Sequence, residues 1–340
     1  MTESDPQHIA TPSPAAGRRA DRRRFLTELG LLAGLGAGLP FLRLGLLSPR
    51  LHRIETARPA LGTWVRVVVQ DHDPARAARA AERAFDAIRT VDAEMSIHRA
   101  DSQIARVNAA AGRGTVGVDR SVLTVVTRAL VEARRTDGIY DPTVLPLMKL
   151  YGFYASGRDR YPSDREIAGV LAVTGHRHVI VDAAGGRIGL AKRGMALDLG
   201  SIGKGWALDR AVDGLKAEGI RSGLVDVGGT VYGLGTPEES AEGWSVGVLN
   251  PRTGKMARVF LLRDAAVATS GNYEQSRVLG HVRVGHLFDA DRGRPAAGHV
   301  SASVVARTGT ESDVLSTTAF LLGPDRFRGH PGVLETHFIG

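Results

Sequence analysis

Cysteine is absent from all 340 residues. No disulfide can therefore staple this chain, and no cysteine-linked lipid can anchor it. Heptad patterning and internal repeats are missing as well, and no low-complexity tract lies outside the N-terminal leader. Coiled-coil and solenoid architectures are thereby excluded. The body of the chain also lacks a charge excess. The formal net charge of +8 is concentrated at the front, where Arg18, Arg19, Arg22, Arg23 and Arg24 crowd into one short stretch. A basic balance located in a leader is poor ground for a nucleic-acid partner, and none is expected.

What is present is ample apolar material, 43% of residues, together with 42 glycines. Directly after the arginines come Phe25-Leu26, the polar pair Thr27-Glu28, and a glycine- and leucine-rich run from Leu29 to Leu42 broken only by Pro40. A basic region, a Phe-Leu step and a modestly apolar stretch resemble a twin-arginine export signal, with Arg22-Arg-Arg-Phe-Leu26 at its core. No clean Ala-x-Ala cleavage site follows, so an uncleaved membrane anchor stays open beside the signal. Residues 1–50 are thus read as a twin-arginine-type signal or N-terminal anchor, and 51–340 as the folded part. The expected location is the periplasm, or a membrane anchorage facing the periplasm or cell exterior.

Residues 51 to 60, with Pro59, read as a linker, and Thr63–Val69 as a β-branched strand. Asp73-Pro74 opens a long helix, with a capping residue followed by proline at the first helical position. Ala77, Ala81, Ala84, Phe85, Ile88 and Val91 then recur at helical spacing. A second helix spans Val122 to Thr136 and stops at Asp137-Gly138. Glycine-punctuated strands dominate from about Val179 to Val284, interrupted by a helix at Trp206–Glu218. Val300–Ala306 reads as a further strand, followed by a helix carrying Asp313. Strands and helices mix without regular alternation, which predicts an α+β fold with mixed sheets and packed helices.

Two distant segments carry the chemistry, Ala196-Leu-Asp-Leu-Gly-Ser-Ile-Gly-Lys-Gly205 and Ser312-Asp-Val-Leu-Ser-Thr-Thr-Ala319. The first offers Asp198, close-approach glycines and Lys204. The second places Asp313 and Thr317 at i and i+4, a carboxylate and a hydroxyl on one helical face. Few, hard oxygen ligands suit Mg2+ with a phosphate-bearing substrate. Ser312-Asp313 could equally cap the start of its own helix, and Lys204 could pair with Asp209.

Further segments follow in order: Leu61-Gly-Thr63, Asp92 to Ser102 with Asn108, Tyr140-Asp-Pro-Thr143, Val225-Asp-Val-Gly-Gly229, Ala268-Thr-Ser-Gly-Asn-Tyr273 and Gly285-His-Leu-Phe-Asp289. With the two above, they resemble the ApbE family of FAD:protein FMN transferases from about residue 54 to the end. The resemblance implies a T-fold-related architecture and a Mg2+-dependent enzyme with FAD as substrate. Such an enzyme moves FMN onto a Thr or Ser of an acceptor flavoprotein, here an envelope redox protein, and releases AMP. It further implies Asp313, the Thr317 hydroxyl and the Ser201 carbonyl as metal ligands, and His286 as proton acceptor. Leu61, Tyr140, Asp141, Pro142, Thr143, Asp198, Lys204, Ser270 and Gly271 would line the FAD. The chain departs from the family pattern at Leu61, where methionine is common, and at His98, where an aromatic ring is common. Thr230 stands in place of Asn or Asp, and Ala290 in place of proline. On the same scaffold, an FAD pyrophosphatase using water as acceptor, or a non-catalytic FAD-binding accessory of a respiratory enzyme, are the alternatives.

Overall fold

A computed structural model describes residues 51–154, 158–273 and 275–340. The leader lies outside these residues, and so does any membrane association through it. Among the described residues no helix is long and apolar enough to cross a membrane.

From the N-terminal side the elements are β1 (His52–Ala60), β2 (Thr63–Asp71), α1 (Pro74–Met95), α2 (Gln103–Ala109), β3 (Thr115–Gly117) and α3 (Arg120–Arg135). Next come α4 (Leu145–Leu150), α5 (Asp164–Leu171), β4 (Val179–Asp182), β5 (Arg187–Leu190), α6 (Gly203–Ala217), β6 (Ser222–Val227) and β7 (Thr230–Leu234). The remainder comprises β8 (Trp244–Leu249), β9 (Met256–Leu262), β10 (Ala265–Gly271), β11 (Ser276–Leu279), β12 (Val282–Gly285), β13 (Phe288–Asp289), β14 (Arg294–Pro295), β15 (Ser301–Ala306), α7 (Gly309–Phe327) and β16 (Val333–Ile339). The architecture is α+β, as the irregular mixture of elements predicts.

Seven strands form the central sheet in the order β1-β2-β6-β7-β10-β15-β16, every neighbouring pair antiparallel. Side chains alternate across it with period two. Val65, Val67, Val69, Val225, Val227, Ala266, Ala302 and Val304 join the main core with α1, α3, α6 and α7. Val68, Leu224, Val231, Val267 and Val305 point the other way, where Trp244, Phe260 and Leu262 of the β8–β9 hairpin cover them. A third cluster, built from Leu147, Met148, Tyr151, Ile167, Leu279, Val284 and Phe288, supports the hairpin β11–β12.

The cap read at Asp73 forms: its carboxylate accepts the Ala75 and Arg76 amides, and Pro74 opens α1. The expected linker at 51–60 is instead strand β1, paired residue for residue with β2 from His52↔Asp71 to Ala60↔Thr63. Pro59 does not prevent this, because β1 is an edge strand and no outer neighbour needs its missing amide. The connecting turn is Leu61-Gly62, both at positive φ (51° and 69°), the signature of a type I′ hairpin. Leucine in that region is strained, and the continuous β1–β2 ladder holds it there. The second tight turn, Gly228-Gly229 between β6 and β7, also has positive φ at both residues. Its Gly228 amide donates to the Trp64 carbonyl, so the two turns lie side by side at one end of the sheet.

Helices α6 and α7 meet backbone to backbone. A Cβ on Gly205 would collide with the Gly309 carbonyl and lie 2.7 Å from Asp313 Cβ, and a Cβ on Gly309 would lie 2.7 Å from the Gly205 carbonyl. Replacement of Gly205 by alanine must push one helix away from the other. It should cost about 3 kcal/mol or more, lowering the melting temperature by about 6–12 °C for a domain of this size; calorimetry of Gly205→Ala against wild type checks it.

Candidate active site

The α6–α7 crossing places two carboxylates by exchange. Asp209 on α6 accepts the Gly309 amide (2.6 Å), the Thr310 amide (3.0 Å) and the Thr310 hydroxyl, all at the start of α7. Asp313 on α7 accepts the Gly205 amide in the first turn of α6 (2.8 Å, through Oδ2). Each helix therefore neutralises the other's exposed amides and positive dipole end. Asp313 does act as a cap, but of α6; its own helix is capped by Thr308, whose side chain accepts the Glu311 amide. Lys204 does not pair with Asp209. Its ammonium lies 3.7 Å from Asp313 Oδ1 and donates to the Gly200 carbonyl at 3.1 Å.

One turn along α7, hydroxyls form a chain. Ser316 Oγ donates to the Asp313 carbonyl (2.9 Å), Ser270 Oγ lies 2.9 Å from Ser316 Oγ, and Thr317 Oγ1 lies 3.1 Å from Ser270 Oγ. Since Ser316 spends its proton on the carbonyl, the consistent order has Ser270 donating to Ser316 and Thr317 donating to Ser270. The Thr317 oxygen then keeps its lone pairs. Gly271, next to Ser270, has no room for a side chain, because a Cβ would lie 2.8 Å from the Val300 carbonyl and against the Tyr273 ring.

Ser201 presents its backbone. The Tyr140 hydroxyl holds its side chain at 3.0 Å, and burial raises the Tyr140 pKa, so the phenol keeps its proton. The Gly205 amide, which in a continuing helix would reach back to the Ser201 carbonyl, goes to Asp313 instead. Among the described residues the Ser201 carbonyl accepts no hydrogen bond. A buried carboxylate, a hydroxyl with free lone pairs and an unengaged carbonyl are each hard oxygen donors of the kind that suits a divalent cation such as Mg2+. The ammonium of Lys204 against Asp313 shows that a positive charge is accommodated there.

Asp198 follows the apolar run Met195–Leu197, within the stretch read as glycine-punctuated strands, but residues 195–199 form no ladder. Their backbone groups are satisfied by Asn108, which accepts the Leu197 amide (2.7 Å) and donates to the Leu197 carbonyl (2.9 Å), and by the Pro142 carbonyl, which accepts the Asp198 amide (2.8 Å). Asp198 Oδ1 accepts the Gly200 amide at 2.6 Å; buried Oδ2 has no partner of good hydrogen-bond geometry among the described residues, and the Tyr154 hydroxyl is the side-chain donor that acts on this carboxylate. Burial raises the pKa of this carboxyl, opposed by the Gly200 amide, then the Tyr154 hydroxyl, and less by His98 and the Lys204 charge. Tyr154 stands beside it, its own pKa raised by burial and then by the Asp198 charge. A buried carboxylate with an under-satisfied oxygen beside a tyrosine hydroxyl suits a ligand carrying amino or hydroxyl donors. Tyr154 is a residue sequence reasoning missed; its ring meets His98 edge to face at 5.4 Å, so an aromatic group is present beside the position where His98 departs from the family pattern.

The Tyr140–Thr143 segment mostly positions others. Asp141 Oδ1 accepts the Thr143 amide and hydroxyl (2.8 and 2.6 Å), and Oδ2 accepts the His176 amide (2.6 Å) and lies 3.0 Å from His176 Nδ1. The Thr143 hydroxyl accepts the Gly175 amide at 2.7 Å. Both side chains are thus occupied with the Gly175–His176 loop. The segment reaches the site through the Tyr140 hydroxyl and the Pro142 carbonyl. Leu61 has no hydrogen-bonded link to the cluster among the described residues. Its turn lies at the same end of the sheet, where Thr230 follows the neighbouring turn and its hydroxyl stands 3.5 Å from Asp313 Oδ1.

His286 comes from a different part of the fold, directly after β12. Its Nδ1 lies 3.3 Å from the Gln275 carbonyl, which assigns the proton to Nδ1 and leaves Nε2 as acceptor. Desolvation pushes its pKa down to about 4, with a smaller contribution of the same sign from the Lys204 charge and an opposing one from the Gln275 carbonyl. The imidazole is therefore neutral near pH 7. Asn272 holds the neighbouring chain, donating to the Ala296 carbonyl (2.8 Å) and facing the Leu287 amide (3.4 Å).

The described residues thus bring a buried carboxylate and a lysine together on one helix crossing, with a second buried carboxylate and a neutral histidine that both feel the charge of that lysine. The ApbE family model matches residues 61–330, and the chain belongs to that family. It is 35% identical over 306 residues to the FAD:protein FMN transferase of Treponema pallidum, covering 84% of each chain. Among solved structures it is similar to the ApbE protein of Thermotoga maritima, with a TM-score of 0.78, 31% identity, and 84% of this chain and 94% of that one covered. The apo flavinyl transferase ApbE of Pseudomonas stutzeri superimposes with a TM-score of 0.74 at 27% identity, over 85% and 91% of the two chains.

Asn108 carries the peptide that presents Asp198, so Asn108→Ala strands one amide and one carbonyl. The expected loss is about 2 kcal/mol of stability, with weaker nucleotide binding; denaturant unfolding and a binding titration on the same samples measure both.

Proposed function

We propose that this chain is an FAD:protein FMN transferase that uses a divalent cation, Mg2+, and modifies a Thr or Ser hydroxyl of an acceptor protein. The observation that carries this reading is Asp313 on the α6–α7 crossing, with Lys204 at 3.7 Å from its Oδ1 and the Lys204 charge also acting on neutral His286. A protein that merely stored FAD would have no need of hard oxygen donors together with a neutral proton acceptor.

In the proposed reaction the acceptor hydroxyl attacks the FMN-side phosphorus of the FAD pyrophosphate. A new O–P bond forms, the bond from that phosphorus to the bridging oxygen breaks, and AMP leaves with the bridging oxygen. The hydroxyl proton passes to Nε2 of His286, whose low pKa in the free protein keeps it ready to accept. Asp313, Thr317 and the Ser201 carbonyl would hold the cation, which when bound neutralises phosphate charge. Lys204 adds one positive charge beside the same phosphates, and Asp198 takes donors from the nucleotide or flavin. Positioning and charge neutralisation dominate this class of chemistry. The twin-arginine-like leader supports an acceptor outside the cytoplasm, an envelope redox protein, with the leader as signal or anchor.

Asp313→Ala should abolish Mg2+-dependent turnover. His286→Ala should retain FAD binding and slow transfer by about 10²–10⁴-fold. The assay follows AMP release together with flavin fluorescence fixed to a Thr- or Ser-bearing acceptor domain on a denaturing gel. AMP and free FMN without a labelled acceptor would place the enzyme among pyrophosphatases instead. Because the folded pKa of His286 is lowered, the active neutral form persists as pH falls and is lost only near the folded value. The acid limb of kcat/KM for transfer should accordingly lie close to pH 4 rather than at the 6.5 of a free imidazole, as a pH profile at saturating metal will show.

A further inference from the structure

We infer that Lys204 is a displaceable internal counter-ion. Its ammonium holds the Asp313 cation site in the metal-free protein, competes with the divalent cation for that carboxylate, and is released towards the substrate phosphates when the cation enters. The inference deepens the proposed function and rests on its assignment of Asp313 as a metal ligand.

The geometry around Asp313 is uneven. Oδ2 is well satisfied by the Gly205 amide at 2.8 Å. Oδ1 has only the Thr230 hydroxyl at 3.5 Å and the Lys204 ammonium at 3.7 Å, both longer than the 2.7–2.9 Å of a tight charge-assisted bond. The Asp313 side chain is 5% exposed and that of Lys204 34%. A buried carboxylate thus depends on a loosely held cation whose stem reaches solvent. Other short bonds to the ammonium are few: among the described residues its hydrogen bond is to the Gly200 carbonyl, next to Ser201.

A divalent ion coordinated by Asp313 would face the ammonium at contact distance with like charge, so both cannot remain on Oδ1. Lysine suits such an exchange, being a compact point charge on a flexible four-carbon stem. The surroundings give it a second place to act. Its charge already acts on both Asp198, the carboxylate that would receive the nucleotide, and His286, the base that would receive the proton.

The test is calorimetric titration of the full-length protein with Mg2+ in the absence of nucleotide, with melting temperatures recorded with and without the ion. Lys204→Met keeps the length of the stem and removes the charge. It should bind Mg2+ about tenfold more tightly than wild type, melt at a lower temperature without metal, and gain more from Mg2+. Equal or weaker Mg2+ affinity in a folded Lys204→Met protein, with binding abolished by Asp313→Ala, overturns the counter-ion role and leaves the metal site standing. Mg2+ binding that survives Asp313→Ala overturns the metal assignment and this inference with it. Should the methionine variant fail to fold, Lys204→Gln must show the same tightening.

Discussion

The contact between Gly205 and Gly309 is the constraint on which the rest depends. With no side chain on either residue, the two helix starts approach until a carbonyl of each lies where the other's Cβ would be. Only at that separation can Asp209 reach across to the amides of α7 and Asp313 to the amide of α6. The carboxylate of Asp313 is therefore held by helix geometry rather than by its own rotamer. The diversion of the Gly205 amide to Asp313 is also what leaves the Ser201 carbonyl unengaged. One close packing contact both holds the Asp313 carboxylate and frees the Ser201 carbonyl, the charged and neutral ligands of the proposed cation site.

Below this crossing the sheet is lined with small residues. Ala266, Ala302 and Ala306 are fully buried on the helix side, which lets α7 settle low over β10 and β15. The end of β10 then brings Ser270 within hydrogen-bonding distance of both Ser316 and Thr317. The hydroxyl chain fixes the Thr317 side chain without consuming its lone pairs. Larger side chains at those strand positions would lift the helix and separate Ser270 from Thr317. In this way the central sheet shapes the site through its packing as well as through its turns.

Legibility from sequence followed the range of the interactions. The cap at Asp73, the proline at position 74 and the apolar spacing of α1 are local, and they form as read. The family segments were visible because each keeps its own short pattern. Less visible was anything decided across the fold. Pro59 suggests a linker in isolation, yet its strand lies at a sheet edge where the proline costs no ladder bond. Asp198 ends an apolar run that reads as a strand, but the partner that satisfies its segment is the Asn108 side chain, 89 residues from Leu197. Strand β16 has a weak pattern and is recognisable chiefly through its pairing with β15. Asp141 and Thr143 carry a plausible ligand motif, and which way their polar atoms turn is decided by the distant Gly175–His176 loop.

The origin of His286 on a separate hairpin bears on how the site can work. Asp313 on the helix crossing is held by backbone packing, whereas His286 follows a hairpin supported by the third apolar cluster, with Phe153 edge-on at 6.5 Å. In the proposed reaction, a base that must be neutral has to be kept away from the carboxylates that would stabilise its proton. Placing it on another substructure, in a desolvated position near a lysine rather than near Asp313, achieves this: both desolvation and the Lys204 charge disfavour protonation. Arrival of a phosphate-bearing substrate reverses that electrostatic bias, because negative oxygens near the ring favour the imidazolium. The proton affinity of His286 is thus lowest in the free protein and rises when there is a proton to accept. The same lysine that balances Asp313 before the substrate arrives is one of the charges responsible.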